Sequence, residues 1–342
     1  MAMTIKDIAR ESGYAVGTVS RVLNNRPDVS AKARARVMEV VEKHNFKLNS
    51  NAKHLKQQAS NGIAIIVKGN QNMLFASIVE QMQGMIRERG FACLMYYIGE
   101  MEDELEQALR VLVERRPRGI LFLGSNLSYF KERFSSISVP CVLVTNSAES
   151  LAFENLSSVS TDDSEAACAA ITHLLNLGHE KIGVLGGHLE KSRAAITRYD
   201  GCKKAFDARG IRFDVEAQYE PALFSISQGY ESMERLMDKM PDLTAVFAMS
   251  DTMALGAIRA IRDRGLRVPE DISVVGFDGI ELGNYLTPKL TTIRQDSETI
   301  ARRSVEILLD NISEGTGAVY ETVPFQIIAG ESARERKTGN SK

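Results

Sequence analysis

The chain has 342 residues, 42 Lys and Arg against 44 Asp and Glu, a formal net charge of -2 and 44% hydrophobic residues. That length allows two domains or more with cores that need no covalent staples, and the composition excludes collagenous, low-complexity and disulfide-scaffold classes. No apolar run approaches the roughly 20 residues of a membrane span, and "MAMTIKDIARESG" lacks the apolar centre of a secretory signal, so a cytoplasmic protein without membrane contact is expected.

Charge is distributed unevenly along the chain. Residues 1–60 hold eleven Lys and Arg against five Asp and Glu, a net of +6 that leaves -8 for the remainder. A small basic module on an acidic body points to a polyanionic partner for the module alone, or else to a solvated basic face. The helical pattern decides between them. In "TIKDIARESG", Thr4 can cap a helix whose stripe is Ile5, Ile8 and Ala9, and Gly13 supplies a turn. In "AVGTVSRVLNN", Val19, Val22 and Leu23 face inward while Val16, Gly17, Ser20 and Arg21 face out. Two short helices joined by a tight turn are a helix-turn-helix unit, whose second helix enters the major groove. Ser30 then caps a third helix, "AKARARVMEVVEKHN", with Val37, Val40, Val41 and His44 on one face.

The segments "TIKDIARESG", "GTVSRVLNN", "VSAKARARV" and "NSNAKHLK" resemble, without gaps, the DNA-binding headpiece of the LacI/GalR family of bacterial transcription regulators. The resemblance implies that Val16 and Gly17 choose between operators and that Arg21 reads a base, its two-pronged donor suiting guanine. Thr18, Ser20 and Asn24 would position the helix, and Thr4, Ser30, Asn49, Lys53, Leu55 and Lys56 complete the DNA-contact set. Leu55 is the hinge leucine expected to wedge into the minor groove, with Lys53 and Lys56 on phosphates. Tyr14-Ala15 departs from the usual Val-Ser, so no hydroxyl caps the recognition helix.

From Gly62 onward, apolar runs alternate with helical stretches: "GIAIIV", "FACLMYYI", "GILFLG", "PCVLVTN", "KIGVLGG", "TAVFAMS" and "ISVVGFD". Runs that are apolar throughout indicate parallel sheets covered on both faces, and about ten strands predict two doubly wound α/β subdomains. Ligands in such folds bind beyond the carboxyl ends of the strands. Asn72 and Phe75, Asp162 and Asp163, Arg198, and Asp251 stand at such ends, with Arg198 and Asp251 read as a charged clamp for ligand hydroxyls.

"HLLNLGHEKIGVLGG", "RYDGCKKAF", "SDTMALGAIRAIRDRGLRVPEDISVVGFDGIEL" and "YLTPKLTTIRQ" resemble the effector domain of the same family, which is related to periplasmic sugar-binding proteins. The resemblance implies Phe75, Asp162, Arg198, Phe224, Asp251 and Asp278 as effector-binding residues. It also implies these bounds: headpiece 1–47, hinge 48–60, one subdomain of 61–161 plus 292–322, the other of 162–291 plus 323–332, and a tail 333–342.

Signals for catalysis are missing: "GVLGGH" is not G-x-G-x-x-G, and neither G-x-x-x-x-G-K-[ST] nor G-x-S-x-G occurs. Cys93, Cys141, Cys168 and Cys202 stand singly without metal spacing, and no cofactor or metal is expected. The expectation is a non-enzymatic, homodimeric repressor of a carbohydrate-utilisation operon. It would bind double-stranded, pseudo-palindromic operator DNA, with a sugar-like effector favoured over a purine or nucleoside. A transport receptor would share the body but have no use for a basic headpiece, and a sugar-processing enzyme would turn its ligand over.

Overall fold

The computed structural model describes residues 5–23, 29–44, 61–69, 72–190 and 192–336. By contact the chain divides into two compact units, residues 1–59 and 60–342.

The first unit holds α1 (Ile5–Ser12), α2 (Val16–Leu23) and α3 (Ala31–Lys43). Gly13, at φ +77, turns the chain between α1 and α2, donating its N–H to the Ala9 carbonyl at 3.1 Å. This left-handed backbone is one that glycine adopts without a Cβ clash. Ile8, Ala9, Val19, Val22, Val37, Val40 and Val41 form the core, with Tyr14, Leu23 and Val29 packed on its margin. His44 does not join that core as its spacing predicts. It is the exposed C-cap of α3, and its ring meets Glu11 at 2.7 Å, beside Lys43 at 2.8 Å. Lys43 and then His44 hold the Glu11 carboxyl below its ordinary range.

The second unit has two lobes. In chain order the first contributes β1 (Gly62–Lys68), α4 (Met73–Glu88), β2 (Ala92–Ile98), α5 (Glu104–Arg115), β3 (Gly119–Leu123), α6 (Leu127–Arg133), β4 (Cys141–Val144) and β5 (Leu156–Ser160). The second contributes α7 (Asp163–Asn176), β6 (Ile182–Gly186), α8 (Arg193–Ala208), α9 (Val215–Gln218), β7 (Tyr219–Pro221), α10 (Ile226–Lys239), β8 (Ala245–Ala248), α11 (Asp251–Asp263), β9 (Ser273–Asp278) and β10 (Thr291–Gln295). The chain then returns through α12 (Ser297–Glu314) and β11 (Tyr320–Thr322) to the first lobe, and through β12 (Phe325–Ile328) to the second.

The two six-stranded sheets have corresponding orders, β11-β5-β4-β3-β1-β2 and β12-β10-β9-β8-β6-β7. They differ at one edge, where β11 runs parallel to β5 but β12 runs antiparallel to β10. Strands β1, β3, β4 and β6 are buried along their whole length, as helices on both faces require. Thr291–Arg294 of β10 pairs with β9, so the second crossing follows Gln295 rather than Thr291, the boundary read from sequence. Among the described residues no helix is long and apolar enough to cross a membrane.

Candidate functional site

In the first unit, burial of Val19 and Val22 fixes which way α2 faces. The exposed positions are then Val16, 43% accessible, with Gly17 and Arg21, while Thr18 and Ser20 lie half-buried beside them. The spacing i, i+1, i+4, i+5 puts Val16, Gly17, Ser20 and Arg21 on one helical face. Thr18 and Val19 N–H both donate to the Ala15 carbonyl, at 2.9 and 3.1 Å, so backbone closes the first turn. Ser30 is committed as N-cap of α3, its Oγ accepting from Ala33 N at 3.3 Å. Thr4, Asn24, Asn49, Lys53, Leu55 and Lys56 lie outside the described residues.

In the second unit, the carboxyl ends of both sheets open onto one cavity of about 440 Å³. Loop after loop places polar groups there, as strand ends at a topological switch do. The first lobe brings Lys68, Asn72 and Phe75, then Glu100, Ser125, Asn126, Thr145 and Asn146; the second brings His188, Arg193, Arg198, Phe224, Gln228, Asp278 and Gln295. The two rings are seated on glycines. A Cβ at Gly124 would meet the Phe75 ring at 2.8 Å, and one at Gly187 would meet the Phe224 ring at 2.8 Å.

Each lobe buries one cation with a carboxylate at the cavity wall. Lys68 Nζ lies 2.7 Å from Glu104 Oε2 and 4.9 Å from the Tyr129 ring centroid, while Glu104 Oε1 accepts from Asn126 N at 2.5 Å. Arg198 donates through Nε to Asp163 Oδ1 at 3.1 Å and through Nη1 to the Met249 carbonyl, with its guanidinium 3.7 Å from the Phe277 ring centroid. Burial raises the Asp163 carboxyl, against the pull of Arg198.

Two cavity-lining groups have a polar atom without a partner: Ser125 Oγ, in a side chain 4% exposed, and Asp278 Oδ2, in one 2% exposed. Asp278 Oδ1 accepts from Gln295 Nε2 at 2.9 Å, and burial pushes the Asp278 carboxyl up to about 7. Buried polar atoms normally find partners, so these two stand out among the groups at the cavity wall. Asp278 at φ +119 and Thr145 at φ +75 are among four described non-glycine residues in this region of backbone space. They close the equivalent strands β9 and β4, and such strain gathers where a ligand is held.

Phe75, Arg198, Phe224 and Asp278 therefore come together. Asp162 and Asp251 do not line the cavity. Asp162 caps α7, accepting from Ser164 N and Glu165 N. Asp251 is wholly buried, and its oxygens accept from Thr292 Oγ1 at 2.5 Å and Ile280 N at 2.8 Å. With both acceptors committed, Asp251 forms no clamp with Arg198. Sequence reasoning passed over Lys68, Glu100, Ser125, Asn126, Asn146, His188, Arg193 and Gln295. Their only signal was position, directly after an apolar run or within a few residues of it. Among the described residues no His, Cys, Asp and Glu group can hold a metal ion.

Residues 4–49 match the model for bacterial regulatory proteins, lacI family, and residues 171–333 match a periplasmic binding protein-like domain. The HTH-type transcriptional regulator MalR of Clostridium butyricum is 36% identical over 314 residues, 91% of this chain and 93% of MalR. A solved transcriptional regulator CelR-cellobiose complex is 27% identical at a TM-score of 0.69, covering 97% of this chain and 100% of that one. A lac repressor dimer bound to operator and the anti-inducer ONPF is 25% identical at 0.70, covering 98% and 100%. The chain belongs to the lacI family of bacterial regulatory proteins, with a helix-turn-helix DNA-binding module and a periplasmic-binding-protein-like body.

Proposed function

We propose that this protein is a cytoplasmic repressor of a carbohydrate-utilisation operon, binding a pseudo-palindromic operator as a homodimer and responding to a sugar-like effector in the interlobe cavity. The observation that carries the effector reading is the single cavity onto which the strand ends of both lobes bring polar groups, Ser125 on one lobe and Asp278 on the other. A polyhydroxylated ring suits such a lining, because each hydroxyl donates and accepts. Phe75 and Phe224 offer apolar faces to the C–H side of such a ring. The related CelR is solved with cellobiose, and the related lac repressor as a dimer on operator.

The proposed DNA-contact set is Val16, Gly17, Thr18, Ser20 and Arg21, with Thr4, Asn24, Ser30, Asn49, Lys53, Leu55 and Lys56. The proposed effector set is Phe75, Arg198, Phe224 and Asp278, with Ser125 added. An effector acts only through its different affinities for two arrangements of the body.

A thermal-shift screen of mono- and disaccharides, purines and nucleosides tests the ligand class. A ligand at 100 times its Kd adds about 2.7 kcal/mol. A sugar is expected to give that shift and Asp278→Ala to abolish it. A shift from nucleosides alone, or one kept in full by Asp278→Ala, contradicts the reading.

A further inference from the structure

Asp251 has no place at the cavity, yet both of its oxygens are hydrogen-bonded. It is wholly buried and accepts the Ile280 N–H at 2.8 Å and the Thr292 hydroxyl at 2.5 Å. A Cβ on Gly276 would meet Asp251 Oδ1 at 2.2 Å, so the β9 backbone admits the carboxylate only because that residue is glycine. The bond to Ile280 restrains a tight segment, Asp278-Gly279-Ile280, whose first two residues have φ +119 and +74. At Gly279 a Cβ would meet Arg294 Cα at 2.6 Å, so the turn packs too closely on β10 for a side chain there.

The two ends of this segment face different partners. Asp278 lines the cavity. Ile280, although it follows a strand of the second lobe, is buried in the first lobe's apolar cluster with Ile78, Ile300 and Val323, against which Leu255 also packs. We infer that Asp251 is a positioning residue that locks the Asp278–Ile280 turn, so that the groups holding the effector and the contact joining the lobes move as one element.

This inference rests on the proposed effector site. It names the means by which occupancy of that site would alter lobe geometry. In a packed body such turns have discrete arrangements rather than a continuous range, which is what a switch needs.

The test uses the full chain without ligand. Spin labels replace the exposed Glu114 and Lys203, on a background with Cys93 and Cys168 changed to serine, and amide exchange is followed in parallel. Asp251→Ala is expected to broaden the interlobe distance distribution and to speed exchange at Ile280 by about tenfold or more, the effect of one lost hydrogen bond, with Ile65 in β1 unchanged. Asp251→Asn is expected to restore both, since its carbonyl accepts from Ile280 and its amide donates to Thr292. Ile280→Ala is expected to broaden the distance while amide 280 stays protected.

An unchanged distance in Asp251→Ala overturns the inference, as does acceleration spread equally through β1. If Asp251→Ala does not fold, an unchanged distance in Ile280→Ala overturns it alone. Failure of every sugar to bind removes the effector reading and leaves these results standing. A sugar that binds while the distances stay fixed in both variants removes only the role of the turn.

Discussion

The two lobes wind their sheets in the same order and bring equivalent strand ends to one cavity, but they do not share the chemistry equally. At the end of its fourth strand the first lobe places Thr145, and the second places Asp278, both with positive φ. Near the wall the first lobe holds a lysine with one carboxylate and an aromatic ring at 4.9 Å, and the second an arginine held by a carboxylate, a carbonyl and an aromatic face at 3.7 Å. Duplicated architecture thus fixes where the cavity opens, while both lobes line it with charged groups and the second ties its buried cation down with more bonds than the first.

If that asymmetry holds, Arg198→Ala should be the most damaging change. It leaves Asp163 buried without its cation and frees the Met249 carbonyl, and breaking a buried pair costs about 3–5 kcal/mol. Chemical unfolding at neutral pH is expected to show a loss near the top of that range. Lys68→Ala removes one ion pair and one ring contact but leaves Glu104 bonded to Asn126 N, so about 3 kcal/mol is expected, the bottom of the range. A larger loss from Lys68→Ala would reverse the comparison.

The pH dependence sharpens it. Burial pushes the Asp278 carboxyl up to about 7 in the folded chain, against an ordinary 3.8. The native state therefore binds more protons than the unfolded state between those values, and stability falls as pH rises through that window. Asp278→Asn is expected to flatten this part of the stability profile, whereas Thr145→Val, at the matching place in the first lobe, leaves it intact. Equal slopes in wild type and Asp278→Asn would remove Asp278 as the source.

The smallest effects concern the two rings. Gly124→Ala places a side chain at φ +75 as well as against Phe75, and a loss of about 1 kcal/mol or more is expected on unfolding. Gly187 has no positive φ, so Gly187→Ala is expected to tilt the Phe224 ring and weaken ligand binding with less effect on stability. Calorimetric titration alongside unfolding separates the two.

Much of this was legible in the chain itself. The alternation of buried valines in α2 with Val16, Gly17 and Arg21 identified the face turned to solvent, and apolar runs marked β1, β3, β4 and β6. Strands β7, β11 and β12 were not visible, because short edge strands covered on one side carry little pattern. β5 escaped because three of its five buried residues are serines, and Ser157 earns its place by bonding Val319 N and Asn311. The site was half legible. Asp251 and Asp278 both follow apolar runs, and only the fold shows that one faces the cavity while the other faces the backbone of its own lobe. Ser125 could not be found without the burial that leaves its hydroxyl unpartnered.

The central claim is that cavity occupancy and DNA affinity are linked. The direct measurement is the affinity of the full chain for a duplex it selects from a random pool, with and without the sugar that stabilises it, at fixed salt. Wild type is expected to change affinity by about tenfold or more on sugar binding, a coupling of about 1.4 kcal/mol within the usual allosteric range, and Asp278→Asn to stay unresponsive. A sugar that fills the cavity while duplex affinity stays the same would contradict the claim.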